Sequence, residues 1–233
     1  MEELRVEAEK MGIRLSKGQL ESFDIFFNEL TEWNEKFNLT AIKEKDEVLK
    51  KHFVDSLTII PYLPKDAKKV IDIGSGAGFP GLPIKIAQPE LNMTLTDSTG
   101  KKVNFINNVI QKLGLKGTIA INNRAEEIGQ SDRYREKFDV ALARAVAYLP
   151  VLCEYTLPLV RVGGIFIAQK AVSDSEVEDS KRAIEILGGK IKEIIKIDVA
   201  GLTDRQLIII EKIRETPDEF PRLPGLPKQN PLI

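Results

Sequence analysis

The chain has 233 residues, of which 42% are hydrophobic and 30% are charged, and its formal net charge is −1. This length suffices for one α/β domain with a modest extension, and no apolar run is long enough to span a bilayer. The single cysteine, Cys153, excludes an internal disulfide and a thiolate metal site, and the single histidine, His52, argues against a zinc site or a Ser-His-Asp mechanism. We therefore expect no metal, and the lack of a signal-peptide core indicates a cytoplasmic protein.

The N-terminal quarter of the chain has the pattern of helices. Ser16 and Gln19 form a capping box, and the apolar positions that follow recur at helical spacing. A second helix is predicted from Asp46 to Ile60, where prolines follow. His52 and Asp55 lie three residues apart on this helix and could pair locally, with or without a functional role.

The stretch from Val70 to Gly81 is the most informative part of the sequence. Its first four residues form an apolar run typical of a strand buried on both faces of a parallel sheet. Pro80 suits the first turn of a helix. Between strand and helix, a tight turn that lets a ligand approach the backbone is predicted by three glycines, Gly74, Gly76 and Gly78.

The spacing of these glycines distinguishes between cofactors. Phe79 occupies the position where a dinucleotide fingerprint requires glycine. Starting at Asp72, the pattern is D-x-G-x-G-x-G, the form seen in S-adenosylmethionine-dependent methyltransferases of the Rossmann-like class. A plain glycine turn without a ligand is the alternative.

From residue 68 onward, apolar runs alternate with helical patterns, as in a parallel sheet covered by helices on both faces. Further strands are predicted at 92–96, 118–121, 138–142 and 164–168. Helices are predicted at 80–87, 100–113, 149–159 and 173–187. Two last strands, 190–199 and 205–213, are separated by only about six residues, so they should be antiparallel. The expected fold class is α/β, a Rossmann-like class I methyltransferase with a mostly parallel seven-stranded sheet and a last antiparallel strand.

This pattern divides the chain into three parts. We expect an N-terminal helical extension at residues 1–63 and an S-adenosylmethionine-dependent methyltransferase domain at residues 64–214. The remaining residues, 215–233, form a proline-rich tail that we expect to pack on the domain.

Ligands of such sheets bind beyond the carboxyl ends of the strands, where the strand order reverses. Asp97 follows the second strand, about twenty residues past the glycines, and its carboxylate could accept hydrogen bonds from ribose hydroxyls. Ala125 and Glu126 follow the third strand, where an adenine edge would lie. Arg144 follows the fourth strand and Lys170 the fifth. A helix cap at Asp97, a surface carboxylate at Glu126 and a structural ion pair at Arg144 are the alternatives.

The residue types at these strand ends restrict which nucleophiles the enzyme could methylate. Methyl transfer from a sulfonium is an in-line displacement that needs mainly proximity and alignment. Enzymes that methylate exocyclic amines commonly carry an Asn/Asp-Pro-Pro-Tyr/Phe loop where this chain has residues 143–146. Cys153 lies on a predicted helix, so we expect it in the core and not as a nucleophile for pyrimidine carbon. A nucleophile with a free lone pair, such as guanine N7, needs no base, and Arg144 could hold O6, a phosphate or the cofactor carboxylate.

Several stretches together, spread over nearly the whole chain, resemble the bacterial small-subunit ribosomal RNA guanine-N7 methyltransferases, also called glucose-inhibited division protein B. The resemblance is carried by residues 33–40, 52–56, 72–81, 97–102, 124–126 and 143–145 and by the tail. It implies S-adenosylmethionine as the donor, a guanine of 16S rRNA as the target, and Arg124, Arg144 and Lys170 as catalytic or RNA-contacting residues. The whole expected cofactor-binding set is Gly74, Gly76, Gly78, Phe79, Asp97, Ala125, Glu126 and Arg144.

The expected partner is 16S rRNA or the small ribosomal subunit, bound by a monomer without membrane or metal. The net charge of −1 does not indicate an RNA-binding protein, but the charge of one face decides this. A methyltransferase acting on a small molecule or protein and a non-catalytic S-adenosylmethionine-binding regulator remain open. Phe79 disfavours a nicotinamide enzyme.

Overall fold

A computed structural model of the chain describes residues 1–144 and 146–233. Over these residues, seven strands form one sheet in the order β3-β2-β1-β4-β5-β7-β6. The strands are β1 (Lys69–Ile73), β2 (Asn92–Asp97), β3 (Thr118–Asn122), β4 (Phe138–Arg144), β5 (Val160–Ala171), β6 (Gly189–Val199) and β7 (Leu202–Lys212). The first five run parallel, and β7 runs antiparallel to both β5 and β6. This topology confirms the expected fold class and places the reversal of strand order between β1 and β4.

The strands extend beyond the apolar runs that predicted them. β4 continues through Arg144 and β5 through Lys170, so both side chains stand on strands and not in the loops that follow. Backbone pairing with β7 extends β5, because residues 165–171 pair in register with residues 205–211. This long ladder holds the cations of β5 and β7 near each other on rigid backbone.

Helices cover both faces of the sheet. In the described part of the chain, the α-helices are α1 (Glu2–Lys10), α2 (Lys17–Phe37), α3 (Lys45–Val48), α4 (Asp55–Leu57), α5 (Gly81–Ala87), α6 (Gly100–Leu113), α7 (Ala125–Gly129), α8 (Leu149–Thr156), α9 (Asp174–Ile186) and α10 (Leu226–Gln229). The predicted capping box of Ser16 and Gln19 starts α2. The short helices α7 and α10 were missed, because neither is long enough to show a period. None of the helices described is long and apolar enough to cross a membrane.

The helix predicted from Asp46 to Ile60 is present, but it is interrupted and its α-helical part ends at Leu57. The segment consists of α3, a π-helical turn at Leu49–Val54, α4 and a 3₁₀ turn at Ile60–Tyr62. π-helical turns are rare and recur at functional sites. Here the π-helical turn carries His52 and leads directly into Asp55. The two side chains do not pair with each other. Each contacts Arg144 instead.

The N-terminal helices share a hydrophobic core with one face of the sheet. Phe23, Phe26, Phe53 and Phe105 are completely buried there. The ring of Phe26 stacks against that of Phe79, with 5.2 Å between centroids. The N-terminal helices are therefore packed directly against the loop that follows β1.

Candidate active site

The glycine loop between β1 and α5 is held by two carboxylates. The N–H of Gly76 donates to Asp97 Oδ2 at 3.0 Å, and the N–H of Gly81 donates to Asp72 Oδ2 at 2.9 Å. Asp72 is completely buried under the loop, and this burial raises its pKa to about 7. Asp72 at β1 and Asp97 at β2 thus hold the loop conformation.

The three glycines serve the loop in different ways. Gly74, Gly76 and Gly78 have φ of 68°, 58° and 87°, values that L-residues rarely adopt. A Cβ on Gly74 would lie 2.6 Å from Val146 Cγ2, whereas a Cβ on Gly78 would meet Leu82 in the first turn of α5. A Cβ on Gly76 would meet nothing, so at that position the backbone conformation alone requires glycine.

A cavity of about 540 Å³, partly open to solvent, lies at the carboxyl ends of β1 to β3. Its lining consists of Ile73, Gly74, Thr96, Asp97, Ser98, Asn123, Arg124, Ala125, Glu126, Val146, Tyr155, Gly225 and Lys228. We call it the β1–β3 cavity. It brings together four residues of the expected cofactor set, Gly74, Asp97, Ala125 and Glu126, together with the exposed Arg124.

Asp97 is held in place by two backbone N–H groups. Its Oδ1 accepts the N–H of Thr99, the residue just before α6, at 2.8 Å, and its Oδ2 accepts the N–H of Gly76. The ammonium of Lys102 lies 3.6 Å away. A carboxylate braced from these sides keeps one orientation at the cavity wall, as a ribose ligand requires.

The lining of the β1–β3 cavity fits S-adenosylmethionine. Asp97 and Glu126 provide acceptors for hydroxyl and amino groups, and Ile73, Ala125 and Val146 provide apolar surface for a base. The missing side chain of Gly74 lets Val146 pack against the loop at the cavity wall, where a Cβ would overlap it. The observed residues therefore have the chemistry that an adenosine-containing ligand needs.

A second cavity, of about 870 Å³ including its open mouth, lies beyond β4 and β5. Its lining consists of Ile42, Lys51, His52, Asp55, Arg144, Gln169, Lys170, Ala171, Glu176 and Arg205. We call it the β4–β5 cavity. Half of these residues carry a positive charge or an imidazole, and the N-terminal helices and loops supply four of the ten (Ile42, Lys51, His52 and Asp55).

Arg144 is the centre of this second cavity. Its guanidinium donates to Asp55 Oδ2 at 2.9 Å, to His52 Nδ1 at 3.1 Å and to the carbonyl of Lys51 at 3.2 Å. It also lies over the ring of Phe79, 5.1 Å from the centroid. Arg144 therefore forms the structural ion pair considered from the sequence and, at the same time, lines the cavity.

Asp55 is the buried counter-charge of this arginine. Its side chain is 1% exposed and also receives the Gln169 amide at 3.1 Å, while Arg205 lies 3.8 Å away. Burial raises the pKa of Asp55, and the charge of Arg144 opposes this. Because arginine stays protonated in proteins, its charge favours the carboxylate form of Asp55, and the hydrogen bond between them fixes the direction of the guanidinium.

His52 connects Arg144 to the N-terminal segment. Its ring stacks on that of Phe79 with 4.4 Å between centroids, and burial together with the charge of Arg144 lowers its pKa to about 3. The neutral ring accepts from Arg144 at Nδ1 and therefore donates from Nε2 to Thr40 Oγ1, at 2.9 Å. Thr40 in turn accepts the N–H of Ile42 at 3.1 Å.

The three expected catalytic residues are not all together. Lys170 lies in the β4–β5 cavity with Arg144, where its ammonium binds Glu176 at 2.5 Å and the carbonyl of Ala147 at 2.7 Å. Arg124 is exposed at the β1–β3 cavity instead. Ala145 lies outside the described residues. Cys153 is completely buried and burial raises the pKa of its thiol, which confirms its place in the core.

Sequence reasoning missed Thr40, Gln169 and Arg205, which contact His52 or Asp55 beside Arg144. It left the roles of His52 and Asp55 undecided. The available signal for Gln169 was its place next to Lys170, directly after the apolar run of the predicted fifth strand. The sequence contains no such signal for Arg205, because the position of Arg205 depends on β7 lying beside β5.

The chain was compared with known families and proteins. The family model for rRNA small subunit methyltransferase G matches residues 19–208. The Ribosomal RNA small subunit methyltransferase G of Acetivibrio thermocellus is 48% identical over 97% of this chain and 93% of its own length, and that of Bacillus thuringiensis is 46% identical over 100% and 98%.

Solved structures share the fold at low sequence identity. The structure of M. jannaschii TYW2 in complex with AdoMet superposes with a TM-score of 0.56 at 14% identity, covering 74% of this chain and 80% of that one. The antibiotic-resistance methyltransferase Kmr gives 0.52 at 19% identity, covering 68% and 93%. The family match and the near full-length relatives confirm the resemblance found in the motifs: the chain belongs to the rRNA small subunit methyltransferase G family.

Proposed function

We propose that this chain transfers a methyl group from S-adenosylmethionine to N7 of a guanine in 16S rRNA. The observation that carries the proposal is the arrangement of two cavities on either side of the β1–β4 reversal point. Asp72 of β1 pairs with Leu142 of β4, so the glycine loop and Arg144 follow side by side. The β1–β3 cavity suits the donor, and the cationic β4–β5 cavity suits the nucleotide.

The bound cofactor supplies an electrophilic methyl group, and the chain positions both reactants. Asp97 and Glu126 would accept hydrogen bonds from the ribose and the adenine, and the glycine loop would let the ligand lie close to the backbone. Arg144, Lys170 and Arg205 direct donors into the β4–β5 cavity, where guanine O6 and phosphates are acceptors. Alignment of the two ligands is the main contribution to rate.

The titratable groups around the β4–β5 cavity support a nucleophile without a proton. His52 is neutral, with its two nitrogens engaged by Arg144 and Thr40. Asp55 binds Arg144, and Glu176 binds Lys170. Among the described lining residues, each imidazole or carboxylate is thus committed to a partner, and guanine N7 needs no general base.

The remaining parts of the proposal concern the whole protein. The chain acts in the cytoplasm, as a monomer, on 16S rRNA or the small ribosomal subunit. Residues 1–63 act as an extension, residues 64–214 as the methyltransferase domain and residues 215–233 as a tail packed on it.

The direct test is methyl transfer from labelled S-adenosylmethionine to small-subunit RNA, naked and in assembling particles. We expect one labelled guanine, cleavable by borohydride and aniline, and loss of the same modification from cells that lack the protein. Turnover without RNA, or no label in RNA in any assembly state, would contradict the proposal.

Arg144→Lys makes the test specific to the site. Lysine cannot reproduce the fork that reaches Asp55 and His52 together, so we expect kcat/KM to fall about a hundredfold, with donor affinity changed much less. The matched control is Arg161→Lys, since Arg161 pairs with Asp139 at the far ends of the strands. Equal loss of activity in both variants would remove the role assigned to Arg144.

A further inference from the structure

The C-terminal tail reaches the donor site although it lies outside the matched family region, which ends at residue 208. Gly225 and Lys228 both line the β1–β3 cavity. They come from a segment about a hundred residues beyond Glu126 in the chain, and from no strand end. The position of this segment at the cavity therefore needs its own physical explanation.

Buried polar contacts fix the path of the tail. The guanidinium of Arg135 donates to the carbonyls of Phe220 and Thr216 at 2.6 and 2.7 Å. Arg222 binds Glu154, a completely buried carboxylate on α8, at 2.6 Å. An unpaired carboxylate at that depth would be costly, so the pair anchors the chain just before it reaches the cavity.

Beyond this anchor, one backbone group contacts the site. The N–H of Gly225 donates to Glu126 Oε1 at 3.0 Å, and Gly225 has φ of 92°. Glu126 is 4% exposed. Burial and the neighbouring Glu126 carboxylate raise the pKa of the Tyr155 hydroxyl above its ordinary value, so the phenol stays protonated beside that carboxylate.

We propose that the tail completes the donor pocket, and that Gly225 is a positioning residue that turns the Glu126 carboxylate toward the exocyclic amino group of adenine. The backbone N–H occupies Oε1 and the Tyr155 hydroxyl lies against the same carboxylate, so the orientation of the carboxylate is held and Oε2 still has a lone pair for the ligand. The inference rests on the proposed function and adds a recognition element from outside the matched family region.

The test compares binding of S-adenosylhomocysteine and S-inosylhomocysteine, which carries oxygen in place of the amino group. A chain that ends after Arg222 keeps the Arg135 and Glu154 anchors and loses Gly225. We expect its Kd for S-adenosylhomocysteine to rise about tenfold, the scale of one hydrogen bond to a charged group, and its preference for the adenosyl ligand to disappear. The control ends after Asn230, keeps Gly225 and should bind as the full chain does.

A full-length variant covers the case in which the shortened chain does not fold. Gly225→Ala has space for its Cβ, whose nearest neighbour would be 3.8 Å away, but the positive φ is strained and the N–H must move. We expect the same loss of adenosyl preference, and little further loss when Glu126→Gln is combined with it.

The outcomes separate this inference from the proposed function. Wild-type affinity and ligand preference in Gly225→Ala, or an equal loss for both ligands, would overturn the positioning role. Failure of the full-length wild-type chain to bind S-adenosylhomocysteine would instead overturn the proposed donor site.

Discussion

At the scale of single residues, the site depends on glycines, which have no side chain, as well as on packed aromatic rings. Gly74 has no Cβ where Val146 closes over the loop, and Phe79 provides the surface on which His52 and Arg144 lie. Asp72 is buried below, with Oδ1 lacking a hydrogen-bond partner among the described residues. The backbone and the packed rings therefore determine the geometry before any ligand binds.

Gly74→Ala should separate ligand binding from backbone strain. The new Cβ would lie 2.6 Å from Val146 Cγ2, whereas Gly114, with a similar φ of 59°, has open space around it. Gly114→Ala should lose about 1–2 kcal/mol of unfolding free energy, measured in urea, and Gly74→Ala should lose more because its Cβ must also displace Val146. Only Gly74→Ala should also weaken S-adenosylhomocysteine binding, by about tenfold or more in calorimetry. Unchanged affinity would show that the loop tolerates a side chain and would contradict its role as a donor cradle.

His52 allows a direct test of burial, because it is the only histidine in the chain. A folded-state pKa of about 3, below the ordinary value, means that the folded protein binds fewer protons than the unfolded chain at mildly acidic pH. Stability from this group is complete above about pH 6.5 and decreases toward pH 3, by roughly 2 kcal/mol at pH 5. The single imidazole NMR signal should not titrate between pH 8 and 5.

The control for this prediction is His52→Gln, whose unfolding free energy should depend less on pH in that window than that of the wild type. Asp72 contributes in the opposite direction in both proteins, because a raised carboxyl pKa favours the folded state at lower pH. An imidazole signal with a midpoint near pH 6.5 would contradict the buried, neutral ring.

At the scale of elements, the N-terminal helices are attached at one end to a strand, β4, and at the other end to a helix, α5. The π-helical turn brings His52 to Arg144, and the start of α2 binds the end of α5. There the Gln19 amide donates to the carbonyls of Ile86 and Ala87 at 2.9 and 3.0 Å, while its oxygen accepts the N–H of Ser16. Gln19 thus satisfies the end groups of two helices at once.

This double contact predicts an order of stabilities. Ser16→Ala should cost about 1 kcal/mol, as usual for the loss of an N-cap. Gln19→Ala should cost more, about 2 kcal/mol, because it also leaves two carbonyls of α5 without their donor. Ser22→Ala is the control and should change little, because this half-buried hydroxyl contacts only the carbonyl of Gly18 in its own helix. Urea unfolding of the three variants checks the order, and equal costs for Gln19→Ala and Ser16→Ala would contradict the second contact.

At the scale of the whole molecule, charge is distributed by the fold and not by composition. Acidic residues outnumber basic ones by 35 to 34, yet Lys51, Arg144, Lys170 and Arg205 line one cavity. An RNA ligand responds to this local field and not to the net charge. A nearly neutral chain can therefore present a cationic surface at the carboxyl ends of its strands.

The salt dependence of RNA binding tests whether this cationic surface contacts RNA. Affinity for small-subunit RNA should fall as salt rises, because bound cations release counterions from phosphates, while donor affinity should change little. Arg205→Gln should reduce the slope of log K against log salt by about 1. Arg161→Gln, at the opposite ends of the strands, should leave the slope unchanged. Equal slopes for wild type and Arg205→Gln would place the RNA contacts elsewhere.

The sequence by itself determined the order of the strands and of the longer helices, because these depend on local periodicity. The capping box of α2, the bounds of α6 and the antiparallel final strands were all readable in this way. It also determined which residues follow each strand, since the strand-end rule needs only chain order. Gly74, Asp97, Ala125 and Glu126 were predicted from these positions.

Only the tertiary structure decided which distant residues meet. The pairing of β7 with β5 brings Arg205 to Asp55, the π-helical turn brings His52 to Arg144, and the tail brings Gly225 to Glu126. The three side-chain contacts join residues roughly 90 to 150 positions apart, so no local spacing encodes them. Their physical cause is the burial of charged and polar groups, which must find partners wherever the fold supplies them.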